Sequence, residues 1–477
     1  MDRLTWRRGP CAVLVLSATA AAAPAQTLTT LVNLIYSNGA YPMTALEQGI
    51  DGNLYGTTTF PDGTFFRLTL SGTLTTVYSF CADTGCSDGV GPRGITLLTG
   101  GNFLGAAFTG GSPGSYGTIF ETTPGGTLTT LHTFHSTDGA NPFGRLTPGP
   151  GGDYYGTTTA GGANGSGTVF KITPSGKLTT LYSFCAQAGC TDGADPIARL
   201  TPATDGNFYG TTSSNGAGGS GTVFKITPGG TLTTLYSFCA LPGCTDGATP
   251  GGGMYQAANG NFYGTTAWGG TGSYAYACQG CGTVFEITPG GALTTLHSFV
   301  ETDGLEPEGD LILGTDGNLY GTTAEGGVNG GGTIFSMTLT GTLTTVYSFA
   351  PSLDGFFPRA GLTQATDGNF YGTTYWGGLN CCDFGYGTGT VFRLSMGLGP
   401  FVKMQPNSGK AGAVIEVLGT NLTGATRVAF NGVSAAFKVV SPSLITAAVP
   451  SGATTGEVEV ATPGGALSSK VAFRVIK

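Results

Sequence analysis

The sequence predicts an all-β protein in which a seven-bladed β-propeller, closed by its N-terminal strand, precedes a small Ig-like β-sandwich. Three observations favour this fold. A unit of about 50 residues recurs seven times along the chain. The last unit lacks one strand, which the N-terminal segment can supply. After residue 400 the repeat gives way to short runs in which apolar and polar residues alternate.

Three phrases mark each repeat, namely Tyr-Gly-Thr-Thr, Gly-Thr-x-Phe and Leu-Thr-Thr-Leu/Val. The first phrase, with one degenerate copy, starts at Tyr55, Leu104, Tyr155, Tyr209, Tyr263, Tyr320 and Tyr371. Four stretches of the fourth unit are rich in β-branched and aromatic residues: Ile197–Pro202, Asn207–Ser213, Gly221–Thr227 and Thr231–Phe238. Turn residues separate these stretches, so each unit predicts a meander of four antiparallel strands, as in one propeller blade.

The register of the repeat predicts a closed ring over residues 27–396. The seventh unit ends at Gly389-Thr390-Val391-Phe392 without its Leu-Thr-Thr strand, whereas the N-terminus offers Leu28-Thr29-Thr30-Leu31 without the preceding strands. We therefore expect residues 28–36 to pair with the strand near 389–395, because closure removes the bare sheet edges that invite aggregation. An open β array with unpaired ends is the alternative.

Residues 401–477 predict a separate β-sandwich. Alternating runs such as Val414-Ile415-Glu416-Val417 and the turn Asn431-Gly432 are typical of short strands joined by hairpins. About seven such strands suit a small Ig-like sandwich. This segment contains no cysteine, so it must fold on its apolar core alone.

The first 25 residues predict an export signal. Arg3, Arg7 and Arg8 precede an apolar run that ends in Ala23-Pro24-Ala25, with cleavage expected after Ala25. The run is too short to span a membrane, and no later stretch could do so. We expect an extracellular or cell-surface location, with the periplasm as the alternative. Cleavage leaves 19 − 3 = 16 basic and 27 − 1 = 26 acidic residues, a balance that disfavours nucleic acid and anionic membranes.

Ten cysteines remain after cleavage, and in an exported chain they predict disulfides. Three pairs share one spacing: Cys81 with Cys86, Cys185 with Cys190, and Cys239 with Cys244. The partners of the other four stay open: Cys278, Cys281, Cys381 and Cys382. In a propeller the loops between blades and those between strands two and three emerge on one face, so all ten map to that face. We expect this elaborated face to be the working surface.

The loops between strands two and three are longest in blades five and seven. Each long loop carries a tryptophan at the same repeat position, Trp268 and Trp376, and blade six has Glu325 there. The same loops also hold tyrosines: Tyr274, Tyr276, Tyr375 and Tyr386. Aromatic rings can stack on the apolar face of a sugar, so these seven residues form a predicted ligand-binding patch. The alternative is that both tryptophans cover their own large loops.

Two segments resemble known families. The unit DGNFYGTTSSNGAGGSGTVFKITPGGTLTTLYSF (205–238) resembles the repeat of the GloVer-type exported proteins, and this resemblance covers roughly residues 27–396. The second blade departs from it, with Leu104-Gly105-Ala106-Ala107. The tail PNSGKAGAVIEVLGTNLTGATRVAFNGVSAAF (406–437) resembles an IPT/TIG domain, an Ig-like module that implies a spacer or binding role. Neither resemblance implies catalytic residues.

Enzymatic signals are weak, and no cofactor, metal or catalytic residue is predicted. His132 and His297 replace the tyrosine of Leu-Tyr-Ser-Phe, and no histidine cluster suits a metal. The Asp-Gly before each first strand indicates a repeated turn, with a calcium-attracting ring of carboxylates as the alternative. We expect a non-enzymatic binding or adhesion protein for a glycan or a surface protein. A hydrolase or lyase with carboxylates at the channel mouth and a structural surface element are the alternatives. Ligand and oligomeric state stay open.

Overall fold

The computed structural model describes residues 26–111, 114, 116–272, 280–351, 354–378 and 387–476. The predicted signal peptide, residues 1–25, lies outside them. Seven antiparallel sheets, each of four strands or more, follow one another around a ring. The all-β prediction and the count of seven blades are confirmed.

The strands of each blade run in order from the channel to the perimeter. Blades 1 to 3 comprise Glu47–Gln48, Leu54–Thr58, Thr64–Leu68 and Leu74–Ser79; Val90–Leu97, Phe103–Thr109, Thr118–Thr122 and Leu128–Thr133; and Ala140–Pro148, Tyr154–Ala160, Thr168–Ile172 and Leu178–Ser183. Blades 4 to 6 comprise Thr201–Pro202, Phe208–Thr212, Thr222–Ile226 and Leu232–Ser237; Ala248–Pro250 with Tyr255–Gln256, Phe262–Trp268, Thr283–Ile287 and Leu293–Ser298; and Ile312–Leu313, Leu319–Thr323, Thr333–Met337 and Leu343–Ser348. Three short 3-10 helices lie at Pro150–Gly152, Ala188–Cys190 and Pro242–Cys244.

Blade 7 joins the two ends of the ring. Its first three strands are Thr363–Gln364, Phe370–Thr374 and Thr390–Ser395, and its fourth is the N-terminal strand Thr27–Asn33. The two outer strands pair antiparallel from Thr27 opposite Ser395 to Asn33 opposite Thr390. The predicted closure is therefore confirmed, and the propeller has no free edge at its seam.

Burial follows the order of the strands. In blade 4 all five residues of the second strand are buried, whereas the fourth strand is exposed or half-buried along its length. Aromatic rings join neighbouring blades: Tyr209 stacks on Phe262 at 4.0 Å, and Phe238 lies 5.2 Å from Phe285. The apolar core thus lies between the blades.

The first strand of blade 4 is shorter than the sequence predicts. We expected Ile197–Pro202, and only Thr201–Pro202 pairs with the second strand, with one further bridge between Ala194 and Ser214. Pro196 has no N–H to give to the ladder, and Asp195 before it has φ +55°. The chain therefore leaves the sheet between the two pairings.

Beyond the ring, ten strands form the predicted sandwich in the residues described up to 476. One sheet orders Lys403–Gln405, Val414–Leu418, Leu444–Ala448 and Phe437–Ser441; the other orders Val433–Ser434, Arg427–Phe430, Val458–Thr462 and Gly465–Ser468; and Ser408–Lys410 pairs parallel with Arg474–Ile476. Asn431 and Gly432 both have positive φ, as the predicted hairpin turn requires. The core contains Ile415, Phe430 and Val460, all nearly inaccessible.

The sandwich packs on one face of the propeller, which we call the turn face because it carries the tight turns between strands one and two. Leu418 and Leu444 join the apolar cluster between blades 1 and 2. Ser443 Oγ donates to Ile50 O at 2.8 Å, and Gln405 Nε2 donates to Leu97 O at 2.8 Å. The opposite face carries the loops between blades and between strands two and three, and we call it the cysteine face.

In the part of the chain that the structure describes, no helix has the length and apolar character needed to cross a bilayer.

We predict that Gly221→Ala destabilises the propeller far more than Gly219→Ala does. Gly221 has φ +97°, and a Cβ there would lie 2.2 Å from Thr212 O and 2.7 Å from Pro250 Cδ of the next blade. Gly219, in the same blade, has φ +81° with nothing within 4 Å of an added Cβ. The control should lose about 1 kcal/mol from the positive φ alone, and Gly221→Ala about 3 kcal/mol. Equal losses on urea unfolding would contradict a steric role for the blade-to-blade contact.

Candidate functional site

Seven prolines surround the channel near the cysteine face, one where the innermost segment of each blade begins. We call them the rim prolines: Pro42, Pro92, Pro142, Pro196, Pro250, Pro307 and Pro358. The residue before each of them has positive φ, between +53° and +63°. Six of these seven residues are not glycine, and such a conformation is uncommon for them. Its recurrence in every blade makes it part of the blade architecture.

The side chains next to the rim prolines differ from blade to blade. Those before them are Tyr41, Gly91, Asn141, Asp195, Thr249, Glu306 and Phe357. Those after them are Met43, Arg93, Phe143, Ile197, Gly251, Glu308 and Arg359. The backbone conformation is therefore repeated while the side chains vary, and every blade except the fifth has an aromatic or charged residue beside its rim proline.

Aromatic rings form a continuous row across the seam between blades 7 and 1. Neighbouring ring centroids are 4.6–5.7 Å apart along the row Tyr36, Phe60, Tyr41, Tyr375, Trp376, Phe357 and Phe356. Tyr36 is 60% exposed and Phe60 is 44% exposed, while Trp376 is half-buried. The row therefore presents accessible ring surface on the cysteine face, mainly at the end formed by Tyr36 and Phe60.

Arginines lie among these rings. Arg359 lies over the rings of Phe357 and Tyr375, at 5.6 and 5.7 Å. Arg93 lies between two other rings, 4.8 Å from that of Phe108 and 4.9 Å from that of Phe143. Burial lowers the pKa of Arg93 to about 10; Tyr375 opposes this shift and Arg359 adds to it. Its Nε is buried and makes no hydrogen bond to the described residues.

Blade 6 contributes three carboxylates to the same mouth. Burial raises the pKa of Glu306 to about 7, and Glu325 and Glu308 add to the rise. Burial also raises the pKa of Glu308, although Arg359 opposes this at 3.2 Å from its carboxylate. The mouth thus combines aromatic rings, guanidinium groups and carboxyl groups that can hold a proton near neutral pH.

Two ion pairs cross the channel below the rim. Arg145 of blade 3 reaches Glu47 of blade 1 at 2.5 Å and also donates to Leu46 O at 2.6 Å. Arg199 of blade 4 reaches Asp310 of blade 6 at 2.6 Å. Burial alone would raise the pKa of Glu47, but Lys403 and Arg145 hold it below its ordinary value. These pairs place an ordered polar layer between the cysteine face and the turn face.

Each ion pair passes over the blade that lies between its two partners, blade 2 or blade 5, and a glycine in that blade makes room for it. Gly94 of blade 2 and Gly253 of blade 5 hold the strand position that Arg145 and Arg199 hold in their own blades. A Cβ on Gly94 would lie 3.0 Å from Arg145 Cγ, and one on Gly253 would lie 2.8 Å from Arg199 Cγ. A side chain at either position would crowd the guanidinium that passes over it.

The structure brings together only some of the residues that the sequence singled out. Trp376 and Tyr375 belong to the aromatic row, and Glu325 acts electrostatically on Glu306. Trp268 is half-buried in blade 5, where its backbone pairs with Ala248 just as that of Trp376 pairs with Phe356. Tyr274, Tyr276 and Tyr386 lie outside the described residues. The ligand-binding patch stays a prediction.

Disulfides join Cys81 to Cys86, Cys185 to Cys190 and Cys239 to Cys244, as predicted. All three lie in loops between blades on the cysteine face. Cys281 is buried, and Cys278, Cys381 and Cys382 lie outside the described residues.

The repeated Asp-Gly stabilises the turn between blades. Asp192 accepts hydrogen bonds from Tyr182 Oη at 2.8 Å and from the N–H of Ala186 at 2.9 Å. His132 takes the place of the tyrosine in its blade, 3.1 Å from Asp138. Such carboxylates connect six of the outer strands to the start of the next blade, and Asn38 takes their place after the N-terminal strand. Within the described residues, no group of three or more His, Cys, Asp or Glu could hold a metal.

Sequence reasoning missed most of the mouth. Tyr41, Phe357, Arg359, Glu306 and Arg93 flank rim prolines, and none was singled out. A usable signal was present in the sequence, because the positions beside a repeated proline change in every copy while the phrases around them hardly change. Positions that vary between copies of a repeat are not required by the fold, so they are candidates for binding residues.

A repeat family described as the Gloeobacter/Verrucomicrobia repeat matches residues 59–275 and 242–433. The IPT/TIG domain family matches residues 401–475. No curated protein matches the chain.

Two solved structures share the fold at low identity. The extracellular domain of BT4673 from B. thetaiotaomicron, described as a one-component system, has a TM-score of 0.50 and 11% identity over 95% of this chain and 58% of its own. The extracellular domain of BT3049 from the same organism, described as a hybrid two-component system, has a TM-score of 0.50 and 13% identity over 94% of this chain and 54% of its own. This chain therefore spans little more than half the length of either structure, and the likeness shows the fold alone.

We predict that Glu306→Gln stabilises the protein at pH 8 and leaves it unchanged at pH 4. The folded-state pKa of about 7 exceeds the ordinary 4.5, so the folded chain binds this proton more tightly than the unfolded chain does. Stability due to Glu306 is therefore lost as the pH rises from about 4.5 to about 7. Because the side chain is only partly shielded, we expect about 1 kcal/mol.

Thermal unfolding at both pH values measures this effect. Glu301→Gln, a change at an exposed position of the same loop, is the matched control and should show no pH-dependent gain. A constant difference between wild type and Glu306→Gln across the range would contradict the prediction.

Proposed function

This chain belongs to the Gloeobacter/Verrucomicrobia repeat family, and from that premise we propose that it is an exported binding protein whose cysteine face presents the channel mouth to a glycan. Membership of this repeat family implies no particular activity, so the proposal rests on the residues of the channel mouth. The observation that carries it is the aromatic row across blades 7 and 1, with arginine and carboxylate groups beside it. The predicted signal peptide, the three disulfides and the extracellular origin of both structural neighbours support export.

The distribution of exposed apolar side chains supports the choice of face. In the described part of the propeller, the exposed large apolar side chains all lie in loops on the cysteine face: Ile35, Tyr36, Phe60, Tyr116, Leu241, Val300 and Val328. The turn face is instead partly covered by the sandwich. Exposed apolar side chains gathered on one side of a soluble protein favour an interaction surface there.

The chemistry of the mouth favours a sugar. A pyranose ring has an apolar face that stacks on rings such as Trp376 and Tyr375, and hydroxyl groups that bind carboxylates and guanidinium groups. Arg359 and Glu308 provide both kinds of group beside those rings. The rings are held by their neighbours, with Tyr41 and Tyr375 stacked at 5.1 Å, so binding would cost little side-chain ordering.

Truncation of the tryptophans tests this proposal. Trp376→Ala should weaken glycan binding by about 2 kcal/mol, roughly thirtyfold, because it removes a central ring of the row. Trp268→Ala should also weaken it if the predicted patch extends to blade 5. A glycan array followed by titration of the best ligand measures both effects. Tyr116→Ala, which removes another partly exposed ring of the same face, is the control.

Two results would contradict the proposal. Equal binding by wild type and Trp376→Ala would place the ligand elsewhere, and no binding by any form would exclude a glycan as the ligand. In the second case, recovery of the protein in the envelope fraction would favour a structural surface element.

One observation favours a second candidate, an enzyme that cleaves polysaccharide. Burial, Glu325 and Glu308 raise the pKa of Glu306 to about 7, which suits a general acid. Incubation with a polysaccharide panel and detection of new reducing ends tests this. Glu306→Gln should abolish release while Trp376→Ala only weakens it; no release by wild type contradicts the enzyme.

A further inference from the structure

A second concavity lies on the opposite side of the molecule, between the turn face and the sandwich. Its volume is about 770 Å³. The propeller contributes the turns after the first strands of blades 3 and 4, and the sandwich contributes Val402–Ser408 with residues near its C-terminus. A cavity of this size suits a drug-sized ligand.

The walls of this cavity are largely apolar. Tyr154 of blade 3 and the almost fully buried Phe208 of blade 4 line it, and Pro148 and Pro202 lie beside them. Met404 and Val471 face them from the sandwich. Such walls favour a ligand with an apolar body.

Three basic side chains line the same cavity in a chain whose net charge is −8. Among the described lining residues these are Lys403, Lys470 and Arg474, and the one acidic residue there, Asp153, already pairs with Lys171 at 3.2 Å. Lys403 pairs with Glu47 at 3.0 Å. Among the described residues, neither Lys470 nor Arg474 has a carboxylate within 4 Å. The cavity therefore carries an excess of positive charge.

Lys470 is the most informative of the three. Its Nζ donates to Leu313 O at 3.0 Å and to Gln364 Oε1 at 3.5 Å and lies 5.3 Å from the ring of Phe401, so its hydrogen-bond partners are neutral. Burial lowers its pKa to about 7, and Lys403 adds to the effect by repulsion. Enclosed cations are ordinarily paired with an anion. A ligand carboxylate in the cavity would provide that partner.

We propose that this cavity binds a small carboxylic acid with an apolar body, the carboxylate pairing with Lys470 and the body lying against Tyr154 and Phe208. The site is independent of the glycan proposal, because the ion pairs of Arg145 and Arg199 lie between the cavity and the rim. The ligand contacts the propeller and the sandwich at once, so it would also stabilise the docking of the two.

Matched acids and alcohols test the proposal. Octanoate and 2-naphthoate are titrated calorimetrically into the exported chain, beside 1-octanol and 2-naphthol, which share their apolar bodies. Each acid should bind about tenfold more tightly than its alcohol, because only the acid neutralises Lys470. The acid that binds more tightly shows whether an alkyl chain or a flat ring fits the walls of the cavity better.

Variants locate the binding. Lys470→Met should abolish the preference for acids, and Lys470→Arg should retain it. Lys438→Met, at an exposed position of the sandwich away from the cavity, is the matched control. Val471→Trp fills the cavity without changing its charge and should abolish binding of acids and alcohols alike. Unchanged thermal unfolding shows that each variant folds.

Three results would overturn the proposal. They are binding of neither acid at millimolar concentration, equal binding of acids and alcohols, and an acid preference that survives Lys470→Met in a folded protein. Loss of glycan binding in the tryptophan variants bears on the rim and leaves this site untouched.

Discussion

The propeller depends on the close approach of one glycine to one proline at every boundary between blades. The glycine of each Gly-Thr-x-Phe phrase has φ between +93° and +102°, and a Cβ on it would lie 2.2–2.9 Å from the Cδ of a rim proline of the next blade. The seventh contact, Gly389 with Pro42, joins the end of the ring to its beginning. Since no other residue fits this space, the contact sets the distance between blades and positions each rim proline. Closure of the ring and the arrangement of side chains around the rim both follow from the position of these prolines.

Closure of the ring and the position of the rim prolines both depend on this constant distance between neighbouring blades. Thr363 Oγ1 donates to Leu46 O across the seam, as Thr147 Oγ1 donates to Leu200 O at 2.6 Å within the ring. The seam therefore repeats the contacts of an ordinary boundary, and the N-terminal strand completes a blade that is otherwise like the rest. Because the prolines are held in place by the blades behind them, their neighbours can vary. Aromatic and charged residues at these positions add chemistry at little cost to the fold.

The repeat could be predicted from the sequence because its determinants are local. Tyr209 and Asp205 lie four residues apart and bond to each other in blade 4, and the same pair recurs in blades 1, 6 and 7. The mouth could not be predicted, because Arg145 and Glu47 are 98 positions apart and meet only when blades 1 to 3 are packed side by side. The docking of the sandwich is equally non-local, since Lys470 meets Leu313 across 157 positions. Patterns within one repeat specify a blade, while contacts across the ring specify a site.

The two ends of the channel have opposite character, and this asymmetry bears on how the molecule works. The sandwich packs on the turn face, and Lys403 with the ion pairs of Arg145 and Arg199 places charged side chains between that face and the mouth. The proposed glycan would then lie across the rim, along the row that includes Trp376 and Tyr375. Tyr36 and Phe60, the most exposed rings of that row, lie farthest along it and would meet the next sugar unit. This arrangement supports the proposed binding across the rim rather than passage along the channel.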